Sequence, residues 1–211
     1  DPSLFVRFKL ADEDAYLLGW TTTPWSLPGN AAIAVKPEAE YVYVEYSDEK
    51  NPDPKVLVVA KNRLVVLEKG QTKIIKEVLG SDLVGKTYIP LFAVEGIQKL
   101  SNYSNLYKVW EADFVSIDDG TGVLHVAPAF GEDDLHLGQT NNIPVLKTLG
   151  SDGRLVKVAG IEDLENIFFK EADKAIVQYL KAQDAIFASE SISHTYPFCC
   201  RCDSPLLYYA I

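Results

Sequence analysis

Methionine is absent from all 211 residues, and position 1 is an aspartate. Both are expected of a segment cut from a longer protein, so its first residues say nothing of where the whole protein is sent. Cysteine is nearly absent too, with three residues that fall together as Cys199, Cys200 and Cys202. An odd, clustered set argues against a secreted disulfide framework and for a reducing, cytoplasmic setting. No apolar run approaches the roughly 20 residues needed to span a bilayer, and no signal-peptide pattern opens the chain, so no membrane partner is expected. Basic charge is in deficit: 20 Lys and Arg stand against 30 Asp and Glu, a net charge of −10. Such a surface repels phosphate backbones. That excludes tight general nucleic-acid binding and leaves room for one nucleotide end held locally. Internal repeats and low-complexity tracts are lacking as well.

What is present is strand. With 47% hydrophobic residues the chain can bury the core of one generous domain, or one domain and a small appendage. Leu4, Val6, Phe8 and Leu10 alternate with Arg7 and Lys9, a half-buried strand. Residues 15–20, 31–35, 41–46, 56–60, 73–79, 107–110, 114–117 and 122–127 read as further short strands. This spacing favours a barrel- or sandwich-like core. Helices are few: 62–69, ended by Gly70; 132–139; and 171–183, with Ala172, Ile176, Val177 and Leu180 on one face. Residues 47–55 and 101–105 read as solvated loops. The stretch 194–211 differs in character, a cysteine-bearing turn followed by an apolar strand at 206–211.

Two segments carry the chemistry. The first is Trp20-Thr21-Thr22-Thr23-Pro24-Trp25-Ser26-Leu27-Pro28-Gly29-Asn30. Three threonines at the end of a strand place hydroxyls on both faces, so at least one meets any adjoining pocket. Their commoner occurrence is a β-bend that satisfies local backbone groups. The second segment runs from Asp118 to Asp134 and contains Gly120-Thr121-Gly122-Val123-Leu124-His125-Val126-Ala127-Pro128-Ala129-Phe130-Gly131-Glu132-Asp133-Asp134. It offers a histidine on a strand and carboxylates in a helix's first turn, where they complement the dipole. Each segment joins an apolar strand to a Gly- and Pro-rich stretch, as scaffolds do where they present side chains to ligands. Together they fit a pocket for a small polar ligand that carries a positive charge.

Other chemistries are less well served. His125, Asp133, Asp134 and His136 are metal-ligand types, but no H-x-x-x-H or doubled C-x-x-C accompanies them. A G-x-S-x-G nucleophile elbow is missing. Cys199 and Cys202 form a single C-x-x-C, half of a tetrahedral zinc site; His194, though near in sequence, does not complete it.

Taken jointly, the two segments resemble the editing domain of isoleucyl-tRNA synthetases, class I enzymes. The patterns W-T-T-T-P-W-[ST]-L-P-x-N and G-T-G-x-x-H-x-A-P-A-x-G-x-D-D are hallmarks of that insertion, and the resemblance runs across nearly the whole chain. Related valyl and leucyl domains typically carry arginine in a T-T-R-P run; Thr23 stands there and selects the isoleucyl branch. The resemblance implies an α+β, β-rich fold with a barrel-like core and a few peripheral helices. It implies an editing domain over 1–192 and a returning β-ribbon over 193–211 that leads back to an absent catalytic domain. The implied activity is hydrolysis of valine wrongly esterified to the isoleucine tRNA, with valyl-adenylate a second candidate substrate, as part of an isoleucine–tRNA ligase.

The roles implied are specific. Asp134 pairs with the substrate α-ammonium. His125 lines the side-chain pocket and helps reject isoleucine. Thr21, Thr22 and Thr23 hold the terminal adenosine and the ester, Thr22 and Thr23 with Asp134 forming the catalytic set. Asn30 belongs to the same pocket, and Ser26 stands where a fourth threonine is usual. No protein nucleophile is evident, so water is expected to attack directly, with the developing oxyanion stabilised by the site. No cofactor is implied for editing and no complete metal site within the segment; the full-length enzyme would use ATP, with zinc as a candidate. Implied partners are the acceptor end of tRNA(Ile), held weakly, misactivated valine, and the rest of the synthetase in cis. Two rivals stay open: a metal-dependent hydrolase built on His125, Asp134 and His136, and a module that binds an aminoacyl-adenosine without turnover.

Overall fold

In a computed structural model, residues 2–49, 52–156, 164–191 and 198–210 are described. Among them nine strands form one mixed sheet that curls into a half-barrel, with two α-helices set against it. The strands are β1 (Pro2–Lys9), β2 (Tyr16–Thr21), β3 (Ala32–Val35), β4 (Glu40–Ser47), β5 (Lys55–Ala60), β6 (Gln71–Leu79), β7 (Lys108–Glu111), β8 (Val123–Val126) and β9 (Ile186–Ser191). Their order along the sheet is β6-β4-β5-β2-β8-β3-β7, and β1 joins β2 to β9.

Strand β2 is the hub. It pairs antiparallel with β1, from Leu4 opposite Thr21 to Lys9 opposite Tyr16. On its other edge it pairs parallel with β5 at its start and parallel with β8 at its end, Trp20 opposite Leu124. Because β2 and β8 run parallel, the threonine run that follows Thr21 and the loop that follows Val126 leave the sheet side by side. That topology, and no sequence proximity, brings the two segments together.

Alternation sorts the side chains. Leu4, Val6, Phe8, Leu17, Ile33, Tyr41, Tyr43 and Val58 enter the main core, while Phe5, Leu18, Val42, Val44, Tyr46, Leu57 and Val59 form a second one on the other face. Two-sided burial explains why 41–46 and 56–60 read as nearly continuous apolar runs. The second core is roofed by residues 61–67, a 3-10 helix (Lys61–Leu67) that presses Leu67 onto it, where the sequence reads as a helix over 62–69.

Helix α1 (Glu132–Thr140) starts after Gly131, and α2 (Phe169–Ala182) buries Phe169, Ala172, Ile176 and Leu180. Two expected strands are not formed. At 114–117 the chain turns instead: Val115 N–H bonds to Ala112 O at 3.3 Å, and Ser116 Oγ accepts the N–H groups of Asp118 and Asp119 at 3.2 Å each. A serine offering such local bonds competes with a ladder. Residues 206–210 belong to no strand; the chain docks there by Ala210 N–H to Ala129 O at 2.9 Å. Strand β9 went unread in the sequence. The expected boundary near 192–193, and His194, lie outside the described residues.

Candidate functional site

A cleft of about 250 Å³ opens where β2 and β8 end, lined by Trp20, Thr21, Thr22, Thr23, Trp25, Ser26, Leu124, His125, Ala127, Phe130 and Asp134. Six of the seven site residues expected from the sequence, Thr21, Thr22, Thr23, Ser26, His125 and Asp134, therefore line one cleft. Asn30 is set behind His125 instead of in the wall. Asp133 and His136 are exposed, and His136 faces a different cleft with Glu111 and Asp113.

The threonine run turns sharply because its hydroxyls bond locally. Thr21 Oγ1 accepts the Thr23 N–H at 3.1 Å, and a 3-10 helix (Pro24–Gly29) follows at once with Pro24 at its start. Ser26 Oγ donates to Thr23 O at 2.8 Å, and Thr23 Oγ1 lies 3.1 Å from Ser26 Oγ. Both the bland expectation, a bend that satisfies itself, and the functional one, hydroxyls on a cleft, describe this run. The helix is anchored from outside: Trp25 N–H donates to Asp173 Oδ1 on α2 at 2.9 Å, and the Trp25 ring packs edge-on against Phe169 and Phe130 at 4.9 and 5.3 Å.

His125 sits on β8 opposite Ile33 and is 7% exposed. Its Nε2 lies 3.1 Å from Ser26 Oγ and its Nδ1 2.8 Å from Asn30 Nδ2. Burial pushes its imidazole down to about 4, so it is neutral at physiological pH.

Asp134 is the third residue of α1. Its Oδ2 accepts the Ala127 N–H at 2.8 Å, while Phe130 N–H bonds back to Ala127 O at 2.8 Å, so the carboxylate staples the 127–131 turn. The glycine in the motif has a steric reason: a Cβ on Gly131 would meet Asp134 Cγ at 3.0 Å. Burial pushes the Asp134 carboxyl up to about 6, against the Ala127 bond, which lowers it; the nearby charge of Asp133 adds to the rise. Asp134 thus places a half-buried carboxylate in the lining of the cleft, where a charge without a partner is costly. Upstream, Gly122 (φ +73°) lets the chain enter β8, and a Cβ there would lie 2.3 Å from Ala60 Cβ.

Sequence reasoning missed Tyr88, whose hydroxyl donates to Asn30 Oδ1 at 2.6 Å, and Asp173. Asp173 carries a carboxyl pushed up to about 6, chiefly by burial. Nothing local in the sequence marks either one.

Among the described residues no group of three His, Cys, Asp or Glu side chains is close enough to hold a metal, and His136 lines a different cleft from His125 and Asp134. Around the cysteines the chain makes a tight turn: Cys199 N–H bonds to Ser204 O at 2.9 Å, Asp203 N–H to Cys199 O at 3.0 Å, and Phe198 bridges Pro205. Hydrogen bonding with Ser204, and then with Cys199, holds the Cys202 thiol below its ordinary value. Two thiols fit half a zinc set and no more.

No family model matches the chain. Among curated proteins, the isoleucine–tRNA ligase of Clostridium novyi is 38% identical over 210 residues, which are 99% of this chain and 19% of that protein. That of Dehalococcoides mccartyi is 40% identical over 238 residues, covering 100% of this chain and 23% of that protein. The chain thus spans about a fifth of the curated relatives it matches. Among solved structures, GlLeuRS-CP1 is similar with a TM-score of 0.66 at 14% identity over 90% of this chain and 100% of the other. The P. falciparum cytosolic leucyl-tRNA synthetase editing domain is similar with a TM-score of 0.62 at 11% identity over the same 90% and 100%. At those identities the likeness is one of fold.

Proposed function

We propose that this chain, an editing domain of the isoleucine–tRNA ligase kind by sequence and by fold, hydrolyses valine esterified in error to the isoleucine tRNA. The observation that carries the reading is the cleft itself: a half-buried carboxylate, a neutral histidine and a run of hydroxyls converge on about 250 Å³. In this reading the Asp134 carboxylate pairs with the α-ammonium, a charge-assisted contact that offsets its own desolvation. Thr21, Thr22 and Thr23, with Ser26, hold the terminal adenosine, the ester and an attacking water. His125 forms the wall against which the side chain is measured.

The need for a second pocket is physical. One methylene in a hydrophobic pocket discriminates by only about 1–3 kcal/mol, a limit well known for this very synthetase type. A small cleft that admits valine and excludes isoleucine supplies the rest. Valyl-adenylate is a second candidate substrate by the same contacts. The acceptor end of tRNA(Ile), the remaining four-fifths of a cytoplasmic ligase in cis, its ATP and a zinc ion shared through Cys199 and Cys202 complete the proposed setting.

The test is deacylation of Val-tRNA(Ile) by the chain in the presence of a chelator. Turnover that persists with chelator and is lost in Asp134→Ala supports the reading. Chelator-sensitive turnover favours the metal hydrolase, and tight binding of an aminoacyl-adenosine analogue without turnover favours the binding module.

A further inference from the structure

We propose that Tyr88 is a positioning residue of this site, acting through Asn30 to hold His125 as the tautomer protonated on Nε2. For what the site does, this rests on the editing reading above; for the tautomer, it rests on geometry alone.

Tyr88 is 3% exposed and reaches the site from below. Its backbone is pinned by Tyr88 N–H to Tyr107 O at 2.9 Å, and its ring by edge-on packing against Phe8 at 5.5 Å and Tyr107 at 6.0 Å. A phenol so buried keeps its proton, and the hydroxyl donates to Asn30 Oδ1 at 2.6 Å. The other end of the Asn30 amide donates to Ala32 O at 2.8 Å, an atom that only accepts. A flipped amide would set two oxygens against each other at Ala32 and oblige Tyr88 to turn its proton away. The amide therefore has one orientation, fixed from two sides.

That orientation decides the histidine. Asn30 Nδ2 points its second hydrogen at His125 Nδ1, 2.8 Å away, so Nδ1 must accept and the ring proton belongs on Nε2. The far end agrees independently. Ser26 Oγ gives its hydrogen to Thr23 O at 2.8 Å, so across 3.1 Å it accepts from His125 Nε2. Every hydrogen from Tyr88 to Thr23 thus runs in one direction. With Nδ1 already occupied by a donor, the ring has no seat for a second proton. The cleft keeps a neutral wall on that side while Asp134 offers the one charge an ammonium needs.

Nitrogen-15 NMR of the imidazole reads this directly, alongside steady-state deacylation of Val-tRNA(Ile). In wild type the proton is expected on Nε2, with Nδ1 a bare acceptor. Tyr88→Phe is expected to release the amide, mix the tautomers and lower kcat about two- to tenfold, the loss of one hydrogen bond, with KM little changed. Tyr107→Phe is the control: it removes a neighbouring buried hydroxyl that has no hydrogen-bond partner among the described residues. It should leave tautomer and kcat unaltered. Asn30→Asp, which places an acceptor at Nδ1, should move the proton to Nδ1; if it fails to fold, the Tyr88→Phe and Tyr107→Phe pair decides alone. A wild-type proton on Nδ1, a Tyr88→Phe spectrum like wild type, or a tautomer shift without loss of kcat overturns the proposal. A wild-type chain that shows no turnover counts against the editing reading, and the tautomer arm then still decides whether Tyr88 and Asn30 set the ring.

Discussion

Asp134 is half-buried, and that burial works against its charge. Its carboxyl is raised from 3.8 to about 6, so the folded chain holds that proton more tightly than the unfolded chain does. The stabilisation this brings is fully present below about pH 4 and is lost as pH rises through about 6, a cost on the order of 3 kcal/mol at neutral pH. Asp134→Asn keeps an oxygen for the Ala127 N–H and removes the ionisation. It should therefore raise Tm by several degrees at pH 8 and by much less at pH 4, while abolishing deacylation. An equal or lower Tm at pH 8 in thermal melts would show that the carboxylate is not under this strain. His125, lowered to about 4, is common to both proteins and cancels in the comparison. At this scale the sequence was legible where residue type and spacing carry chemistry: Asp134, His125, Ser26 and the three threonines line one cleft. Asn30 was legible as a participant but not in its place, since nothing in a linear motif says that Tyr88 will come up beneath it.

Among elements, the short 3-10 helix Pro24–Gly29 depends most on its neighbours. It is too brief to hold itself, and its first turn is capped from α2 by Asp173. Asp173→Ala should cost about 1 kcal/mol and loosen the turn that carries Ser26 and the threonines. Amide hydrogen exchange at Trp25 and Ser26 should accelerate while the core of β4 stays protected; unchanged exchange at both amides would deny Asp173 that role. Most strands were legible because alternation or two-sided burial leaves a period. Strand β9 was not, because residues 186–191 are ordered by pairing with β1, some 180 residues away. The stretch 114–117 misled for the opposite reason: Val115 is buried, but by a turn whose Ser116 Oγ takes the backbone donors a ladder would have used.

For the whole molecule, charge and completeness govern what the chain can do alone. With a net charge of −10 it has little to offer a phosphate backbone beyond the acceptor end. Affinity for tRNA(Ile) should be weaker than about 1 μM at physiological salt, and submicromolar binding in a titration would contradict this account of the surface. The single C-x-x-C turn should likewise hold no stoichiometric zinc by itself, which metal analysis checks. The curled half-barrel was legible as a β-rich core, whereas the parallel meeting of β2 and β8 that makes the site was not, because it joins residues a hundred positions apart.

The most direct test of the central claim is the ratio of deacylation rates for valyl- and isoleucyl-tRNA(Ile) by this chain. A cleft that measures the side chain against His125 should hydrolyse the valyl ester at least roughly tenfold faster than the isoleucyl ester. Equal rates for the two esters would contradict it.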